Sequence, residues 1–261
     1  MRTRRSLVAL VALLTIGAGA CSSHSSTPSL GKPTGTTVAA AAVTAAPVTT
    51  TPLPPGTSLV ATTLPSVKSV TVYYQPSTSA KVRTVLANPN EVGAPLVFLV
   101  SKQLTNGWLN VYLPIRPDGA KGWIQSSQVQ ITSNPYRVVV TRHAHTLEVF
   151  QNGPNLVFKA PIGVGTADTP TPGGKFYIKE LLQPPNPNGA YGPYAYGLSG
   201  FTEVASLANF NGGTGVIGIH GTDEPQLVGT DVSHGCIRLY NADITRLTKI
   251  LPLGTPVQIL A

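Results

Sequence analysis

The sequence has few of the residues from which helical bundles and nucleic-acid-binding proteins are usually built. Charged residues make up 11% of the 261 positions, against about 25% in an average globular domain. The formal charge is +8, but lysines and arginines form no run, which argues against a nucleic-acid patch. Glycine occupies 26 positions and proline 24. This composition favours mostly β domains joined to an irregular segment.

Cysteine is scarcer still, with Cys21 and Cys236 as the only two. They could form at most one disulfide, but Cys21 has a separate explanation at the end of an export signal. Residues 1–21 combine a basic start, an apolar stretch from Leu7 to Ile16, and the small residues of positions 18–20. The apolar stretch is too short for a permanent membrane span.

Two cleavage patterns are open in this signal. Cys21 after small residues resembles a bacterial lipoprotein signal, in which the cysteine is lipidated and anchors the protein to the membrane. Ala18 departs from that pattern, because such signals usually carry leucine there. Ala18-Gly19-Ala20 also fits an ordinary A-x-A site, which would release the protein. Both readings predict an exported protein, located at the outer face of the cytoplasmic membrane or in the cell wall or periplasm.

Residues 22–66 are mostly Ser, Thr, Ala, Pro, Gly and Val, with no aromatic residue and Lys32 as the only formal charge. Such a segment buries too little apolar surface to offset the entropy lost on ordering. We therefore predict a disordered tether over 22–66.

Short alternating apolar runs follow over residues 67–132 and predict a small β-barrel or sandwich. The pairing of Gly107–Tyr112 with Lys121–Ile124 resembles the bacterial SH3-like fold. The resemblance implies a small SH3-like barrel in which Trp108 and Trp123 are core residues or, alternatively, stack on a ligand.

The last unit, 136–261, begins as a strand meander with a hairpin at Asn152-Gly153. Gly215–Ile219 predicts a buried strand that delivers His220 at its end. Asn241–Leu251 has helical periodicity, with Asn241 as the N-cap. We expect this unit to be β-rich, with one or two short helices.

The residues that suggest chemistry lie close together near the C-terminus. Cys236 stands between His234 and Arg238, and His220 lies upstream. A thiol becomes a strong nucleophile when an imidazole takes its proton. His234 would share a face with Cys236 in an extended segment, whereas His220 would approach from another strand, as a general base usually does. From the residues alone, either histidine could be the base.

Gly235 permits a tight turn that could aim the N–H groups of residues 234 to 236 at an oxyanion. Two other interpretations are open. The first is a zinc site formed by His220, His234 and Cys236 with Asp223 or Asp231, although no C-x-x-C or H-E-x-x-H motif is present. The second is a buried structural cysteine, which the surrounding glycines and polar residues oppose.

These residues resemble the signature of a known family. His220-Gly221-Thr222, followed by Ser233–Cys236 and Ile237–Leu239, is similar to the motif of the L,D-transpeptidases with a YkuD-type catalytic domain. Thr171–Phe176 resembles the upstream T-P-x-G-x-F element of that family. The resemblance runs from Tyr136 to the end of the chain.

The resemblance implies a role for each residue. Cys236 would attack the carbonyl between the third residue and D-Ala of a peptidoglycan tetrapeptide stem, and an amine of a second stem would resolve the thioester into a 3→3 cross-link. The general base would be His220, oriented by the carbonyl of Gly221. The pocket and oxyanion hole would be formed by Ser233, His234 and Gly235. Arg238 would hold local charge or a substrate carboxylate, and no metal or cofactor is expected.

The family also implies a lid over the site, for which Pro184–Gly200 is placed, with Tyr191, Tyr194 and Tyr196 lining the substrate channel. Carbapenem-type β-lactams are expected to acylate Cys236.

Two alternative functions also proceed through an acyl-enzyme: an L,D-carboxypeptidase that uses water as the acceptor, and a transferase that anchors proteins to the wall. A further alternative, of another class, is a non-catalytic wall-binding protein that acts through the SH3-like module.

Overall fold

The computed structural model describes residues 54–104, 106–207 and 214–261. The predicted export signal, the lipidation site at Cys21 and the tether up to residue 53 lie outside the described residues. The described ranges fall in one compact unit, Thr50–Ala261. They contain no helix that is both long and apolar enough to span a membrane.

Seven antiparallel strands form an N-terminal module, Ser58–Asn134. The strands are β1 (Ser58–Thr63), β2 (Ser69–Tyr73), β3 (Val82–Ala87), β4 (Val97–Gln103), β5 (Trp108–Tyr112), β6 (Lys121–Gln125) and β7 (Val129–Asn134). They lie in the order β3-β2-β6-β5-β4-β1-β7, so β3 is an edge strand. Side chains that alternate inward form the core, which includes Val70, Val72, Phe98, Leu109, Val111 and Ile124. The module is β-rich as predicted, and its SH3-like character stays a prediction.

The first strand corrects the predicted tether. Ser58–Thr63 pairs with β7 along its whole length and with β4, so the segment expected to be disordered up to residue 66 is partly a strand. Val60 and Ala61 are both buried, on opposite faces of the strand, which the Ser/Thr-rich composition does not reveal. Trp108 is also buried, with its ring edge-on to Tyr73 at 5.5 Å; it is therefore a core residue.

The C-terminal domain, residues 136–261, is built on an eight-stranded sheet. Its strands are β8 (Tyr136–Thr141), β9 (Thr146–Gln151), β10 (Asn155–Pro161), β12 (Gly174–Leu182), β13 (Ala195–Phe201), β14 (Val216–His220), β16 (Ile237–Arg238) and β17 (Pro256–Leu260). They run in the order β10-β9-β8-β17-β12-β13-β14-β16. Two short strands, β11 (Val164–Gly165) and β15 (Asp231–Ser233), pair beside it. The predicted mostly β fold is confirmed.

A single α-helix, α1 (Asn241–Leu247), is present in the described part of the chain. Its N-cap is Tyr240, and Asn241 is the first helical residue, so the predicted N-cap role of Asn241 is wrong. The helix buries Ile244 and Leu247 against the domain core. Leu251, expected inside the helix, lies beyond its end but is buried in the same core.

The module and the domain share buried contacts. Val97 and Leu99 of β4 form one apolar cluster with Tyr177 of β12. Polar contacts add to it: Asn90 Nδ2 donates to Glu180 Oε2 at 2.8 Å. Because these groups are buried or half-buried, the N-terminal module is held in place beside the domain that carries Cys236.

Candidate active site

Parallel pairing of β14 with β16 brings the histidine and the cysteine together. The register sets His220 opposite Arg238, and Cys236 immediately precedes β16. The N–H of Gly218 donates to Cys236 Sγ at 3.4 Å. A Cβ atom at Gly218 would lie 3.7 Å from Cδ2 of His220 and 3.8 Å from Sγ. The thiol and the imidazole, which are 16 positions apart in the sequence, therefore both border this glycine.

The imidazole of His220 has a fixed orientation. Its Nδ1 lies 2.6 Å from the carbonyl oxygen of Gly221. A carbonyl can only accept a hydrogen bond, so Nδ1 carries the proton and Nε2 keeps its lone pair. The ring is buried, and the His220 carbonyl receives the N–H of Leu239 at 2.8 Å. The arrangement is that of a general base whose tautomer is set by a backbone acceptor.

Burial makes both reacting groups neutral at rest. It lowers the pKa of His220 to about 4, although the hydrogen bond to Gly221 favours the protonated ring. Burial also raises the pKa of the Cys236 thiol, against smaller opposing effects of the Gly218 N–H and the Arg238 charge. At neutral pH the pair is thus a thiol beside an unprotonated imidazole. Such a pair can transfer the thiol proton as the sulfur attacks.

The turn that presents Cys236 is held by a serine hydroxyl. Ser233 Oγ donates to the Cys236 carbonyl and accepts the N–H of Gly235 at 3.1 Å. Gly235 has φ of +112°, a conformation that side chains other than glycine rarely adopt. The N–H of Gly235 is thus bound to Ser233, and the predicted oxyanion hole formed by residues 234 to 236 stays a prediction.

His234 lies on the exposed side of the same turn. His234 lines the same cleft as His220 and Cys236. His234 is exposed whereas His220 is buried, so the two candidate bases occupy different environments.

Arg238 is held by an acidic partner that the sequence did not reveal. Its Nη1 donates to Glu224 Oε2 at 2.6 Å, and its side chain is only 15% exposed. The backbone is fixed by a pair of hydrogen bonds with Gly163. Its Nε is buried and has no hydrogen-bond partner among the described residues. The Arg238 residue itself is part of the cleft lining.

The three predicted lid tyrosines separate in the structure. Tyr191 is 56% exposed and its ring lies edge-on to His220, with the centroids 4.9 Å apart. Tyr194 is half-buried and packs against the domain core. Tyr196 is a core residue of β13, and its hydroxyl donates to the carbonyls of Leu247 and Leu251. The Tyr196 ring therefore faces the core, although the residue belongs to the cleft lining, and its place in the substrate channel stays a prediction.

Asn241, predicted to be a helix N-cap, contacts the loop of the site. Its Oδ1 accepts the N–H of Thr222 at 2.8 Å. A Cβ atom at Gly221 would lie only 2.2 Å from this oxygen, and one at Gly192 only 2.3 Å. The amide therefore packs directly against the loop whose carbonyl orients His220.

Threonines of the loop before β12 also support the turn. Thr169 Oγ1 donates to the carbonyl of Ser233 at 2.9 Å, and Thr166 N–H donates to the same oxygen. Thr171 is buried and accepts the N–H of Gly165 at 2.8 Å. The T-P-x-G element indicated Thr171 in the sequence, but no sequence pattern indicated Thr166 or Thr169.

The zinc site considered from the sequence can be compared with the positions of its expected ligands. Within the described ranges, no three or more His, Cys, Asp or Glu side chains form a group that could hold a metal ion. Asp231, one of the expected ligands, instead lies 2.8 Å from Nε2 of His145.

A cleft of about 1230 Å³ opens onto this arrangement and is lined by Tyr191, His220, Ser233, His234, Cys236 and Arg238. A half-buried thiol beside an oriented, neutral imidazole, in a cleft of a β-rich domain, is a site of the kind that cysteine-dependent acyl-transfer enzymes use.

Comparison with known proteins identifies the family. The YkuD family, described as the L,D-transpeptidase catalytic domain, matches residues 135–259. The chain is 40% identical over 126 residues to the YkuD protein of Bacillus subtilis, whose name assigns it to the L,D-transpeptidases. It is 30% identical over 144 residues to the similarly named YqjB protein of that organism, covering 49% of this chain and 73% of the relative. The chain belongs to the L,D-transpeptidase family.

The matches cover part of each protein. The match to Bacillus subtilis YkuD spans 48% of this chain and 66% of the relative. Among solved structures, an L,D-transpeptidase from Mycobacterium smegmatis aligns over 63% of this chain and 82% of its own, with 17% identity and a TM-score of 0.39. A TM-score of this size adds nothing to the assignment, which rests on the sequence matches.

Proposed function

We propose that the protein is a peptidoglycan L,D-transpeptidase that forms 3→3 cross-links through a Cys236 acyl-enzyme. The observation that carries the proposal is that the half-buried Cys236 thiol and the His220 imidazole both lie against Gly218, with Nδ1–H of His220 bound to the Gly221 carbonyl. Family membership supports the class of reaction, and the cleft over Cys236 supports a peptide as the substrate.

Acylation is the first step of the proposed reaction. Nε2 of His220 takes the proton of the thiol while Sγ attacks the carbonyl between the diamino acid and D-Ala of a tetrapeptide stem. The oxyanion is stabilised by backbone N–H groups of the turn, among which we assign Cys236 N–H. Collapse breaks the peptide bond, and His220 returns its proton to the nitrogen of the leaving D-Ala. The product is a thioester on Cys236.

Transfer is the second step. The side-chain amine of a second stem attacks the thioester, His220 removes a proton from the attacking nitrogen, and the thiol is regenerated with its proton. We assign Arg238 to hold a carboxylate of the donor stem, because this cationic residue lines the cleft together with Cys236.

We also propose that residues 1–21 export the protein, with Cys21 as a lipid-anchored N-terminus, because peptide stems of the wall lie outside the cytoplasmic membrane. Mass spectrometry of the mature protein tests this, since lipidation leaves a diacylated Cys21 and ordinary cleavage leaves an unmodified N-terminus. A mature protein that retains residues 1–20 would contradict export by this signal.

The reaction is tested with a purified tetrapeptide stem and mass spectrometry. Loss of D-Ala together with a cross-linked dimer is the expected result, and Cys236→Ala should abolish both. Cys236→Ala should also abolish the adduct mass of a carbapenem. Loss of D-Ala with no dimer would favour the L,D-carboxypeptidase, and no reaction at all would leave the wall-binding alternative.

A further inference from the structure

The cleft over Cys236 continues onto the N-terminal module. Its volume of about 1230 Å³ exceeds the range of about 300–1,000 Å³ in which proteins usually hold one drug-sized ligand. One wall of the cleft belongs to β3 and the loop after it, namely Val85, Leu86, Ala87, Asn90, Glu91 and Val92. We call these six residues the module wall. A transfer between two peptide stems needs room for both, and the module wall provides a second surface.

The module wall is fixed relative to Cys236. Asn90, one of its members, donates to Glu180 of β12 at 2.8 Å. On another part of the module, Asp118 accepts the N–H of Phe201, at the end of β13. The buried cluster around Tyr177 also joins β4 to β12. A ligand on this wall would therefore bind a preformed surface, so that binding costs little conformational entropy of the protein.

Apolar side chains remain exposed along this part of the cleft. Val85 is 55% exposed and Val92 is 48% exposed, and both belong to the module wall. Leu182 and Tyr191, also exposed, line the cleft from the C-terminal domain. Exposed apolar groups gathered in one groove mark a surface that a ligand covers.

The charges in the cleft lining favour a cationic ligand at the module wall. Arg238 is paired with Glu224, and Lys179 is paired with Glu180. Glu91, in contrast, is exposed and forms no salt bridge with any residue in the described part of the chain. Its carboxylate complements an ammonium group.

We propose that the module wall binds the acceptor stem, the amine-bearing peptide that takes the acyl group from Cys236. The proposal rests on the proposed function and gives the N-terminal module a role in it. Val85 and Val92 contact the apolar parts of the acceptor stem, and Glu91 attracts its ammonium. The ammonium then loses one proton to water, and the neutral amine attacks the thioester, with His220 taking the second proton.

Two substitutions in the full chain test the proposal, Val85→Ser and Glu91→Gln. Val82→Ser is the matched control, because Val82 lies on the same strand, is 45% exposed, and does not line the cleft. Acylation is measured as release of D-Ala from a tetrapeptide donor, and transfer as dimer formation at increasing concentrations of an acceptor stem whose own donor carbonyl has been removed.

Val85→Ser should raise the acceptor concentration for half-maximal dimer formation by roughly 3- to 10-fold, because half of a valine side chain would no longer be buried. Glu91→Gln should raise it by about 2- to 5-fold, as expected for an exposed ion pair. Both should acylate at the wild-type rate, and Val82→Ser should match wild type in both assays.

Unchanged acceptor dependence in both wall variants would overturn the proposal, as would an equal slowing of acylation, which would assign the wall to the donor. Wild-type protein that acylates but makes no dimer would also overturn it. Failure of wild-type protein to release D-Ala would instead refute the proposed function itself.

Discussion

Replacement of Asn241 by alanine should slow acylation of Cys236 by loosening the loop that holds His220. The Asn241 side chain accepts the N–H of Thr222 at 2.8 Å and packs against Gly221. Gly221 in turn supplies the carbonyl that fixes the His220 tautomer. Asn241 is therefore a positioning residue, which acts on the reaction through the loop and not by touching the substrate.

The magnitude follows from the hydrogen bond that is lost. In Asn241→Ala the N–H of Thr222, a buried residue, would have no side-chain acceptor, at a cost of about 1–3 kcal/mol. If the acylation transition state carried this whole cost, the rate would fall by about 5- to 150-fold, which is an upper bound. The melting temperature should fall by about 2–4 °C for each kcal/mol, as for a domain of this size.

The assay is the rate of carbapenem adduct formation, followed by mass spectrometry across pH. Asn241→Asp retains an oxygen acceptor and should restore much of the rate. Its negative charge should also raise the pKa of His220 above about 4, which moves the acidic limb of the rate profile to higher pH. Recovery of the rate in Asn241→Asp but not in Asn241→Ala would distinguish a positioning role from a loss of stability alone.

Asn110→Ala provides the matched control, because Asn110 also makes a half-buried side-chain hydrogen bond, to Gly122 in the N-terminal module. It should lose stability and keep the wild-type acylation rate. Acylation at the wild-type rate in Asn241→Ala, or equal slowing in Asn110→Ala, would refute the positioning role.

The remaining predictions concern histidine chemistry and core packing. His220→Ala should slow acylation far more than His234→Ala, measured by the same adduct assay; the reverse order would return the base role to His234. Since burial lowers the pKa of His220 to about 4, the unfolded chain binds this proton first, and stability should fall as the pH drops from about 6.5 to about 4. Denaturant unfolding should show a smaller loss of unfolding free energy over this pH range in His220→Gln than in wild type. An equal loss in the two proteins would contradict the assignment of the loss to His220. Tyr177→Phe should raise the melting temperature, because the buried hydroxyl of Tyr177 has no hydrogen-bond partner among the described residues. Tyr196→Phe should lower it, since that hydroxyl donates to the carbonyls of Leu247 at the end of α1 and of Leu251 beyond it; opposite signs would refute this interpretation of the core.

Strands with strong apolar alternation were predictable. The runs at Val70–Tyr74 and Arg137–Thr141 correspond to β2 and β8, because alternation records which face is buried. Ser58–Thr63 was missed, since its burial depends on pairing with β7, far along the chain. The strand at Ala195–Phe201 was hidden in a Gly/Pro/Tyr-rich stretch for the same reason, because only its neighbours β12 and β14 bury it.

The sequence by itself determined the chemical groups of this protein: a thiol, two histidines and an arginine in a motif that resembles one family. Which histidine is buried and oriented was decided by the tertiary structure, because the β14–β16 pairing and the Gly221 carbonyl set the position of His220. The tertiary structure also decided the role of Asn241, whose side chain accepts the Thr222 N–H and does not cap the helix. Long-range contacts also place the N-terminal module beside the cleft, and no local pattern along the chain contains that information.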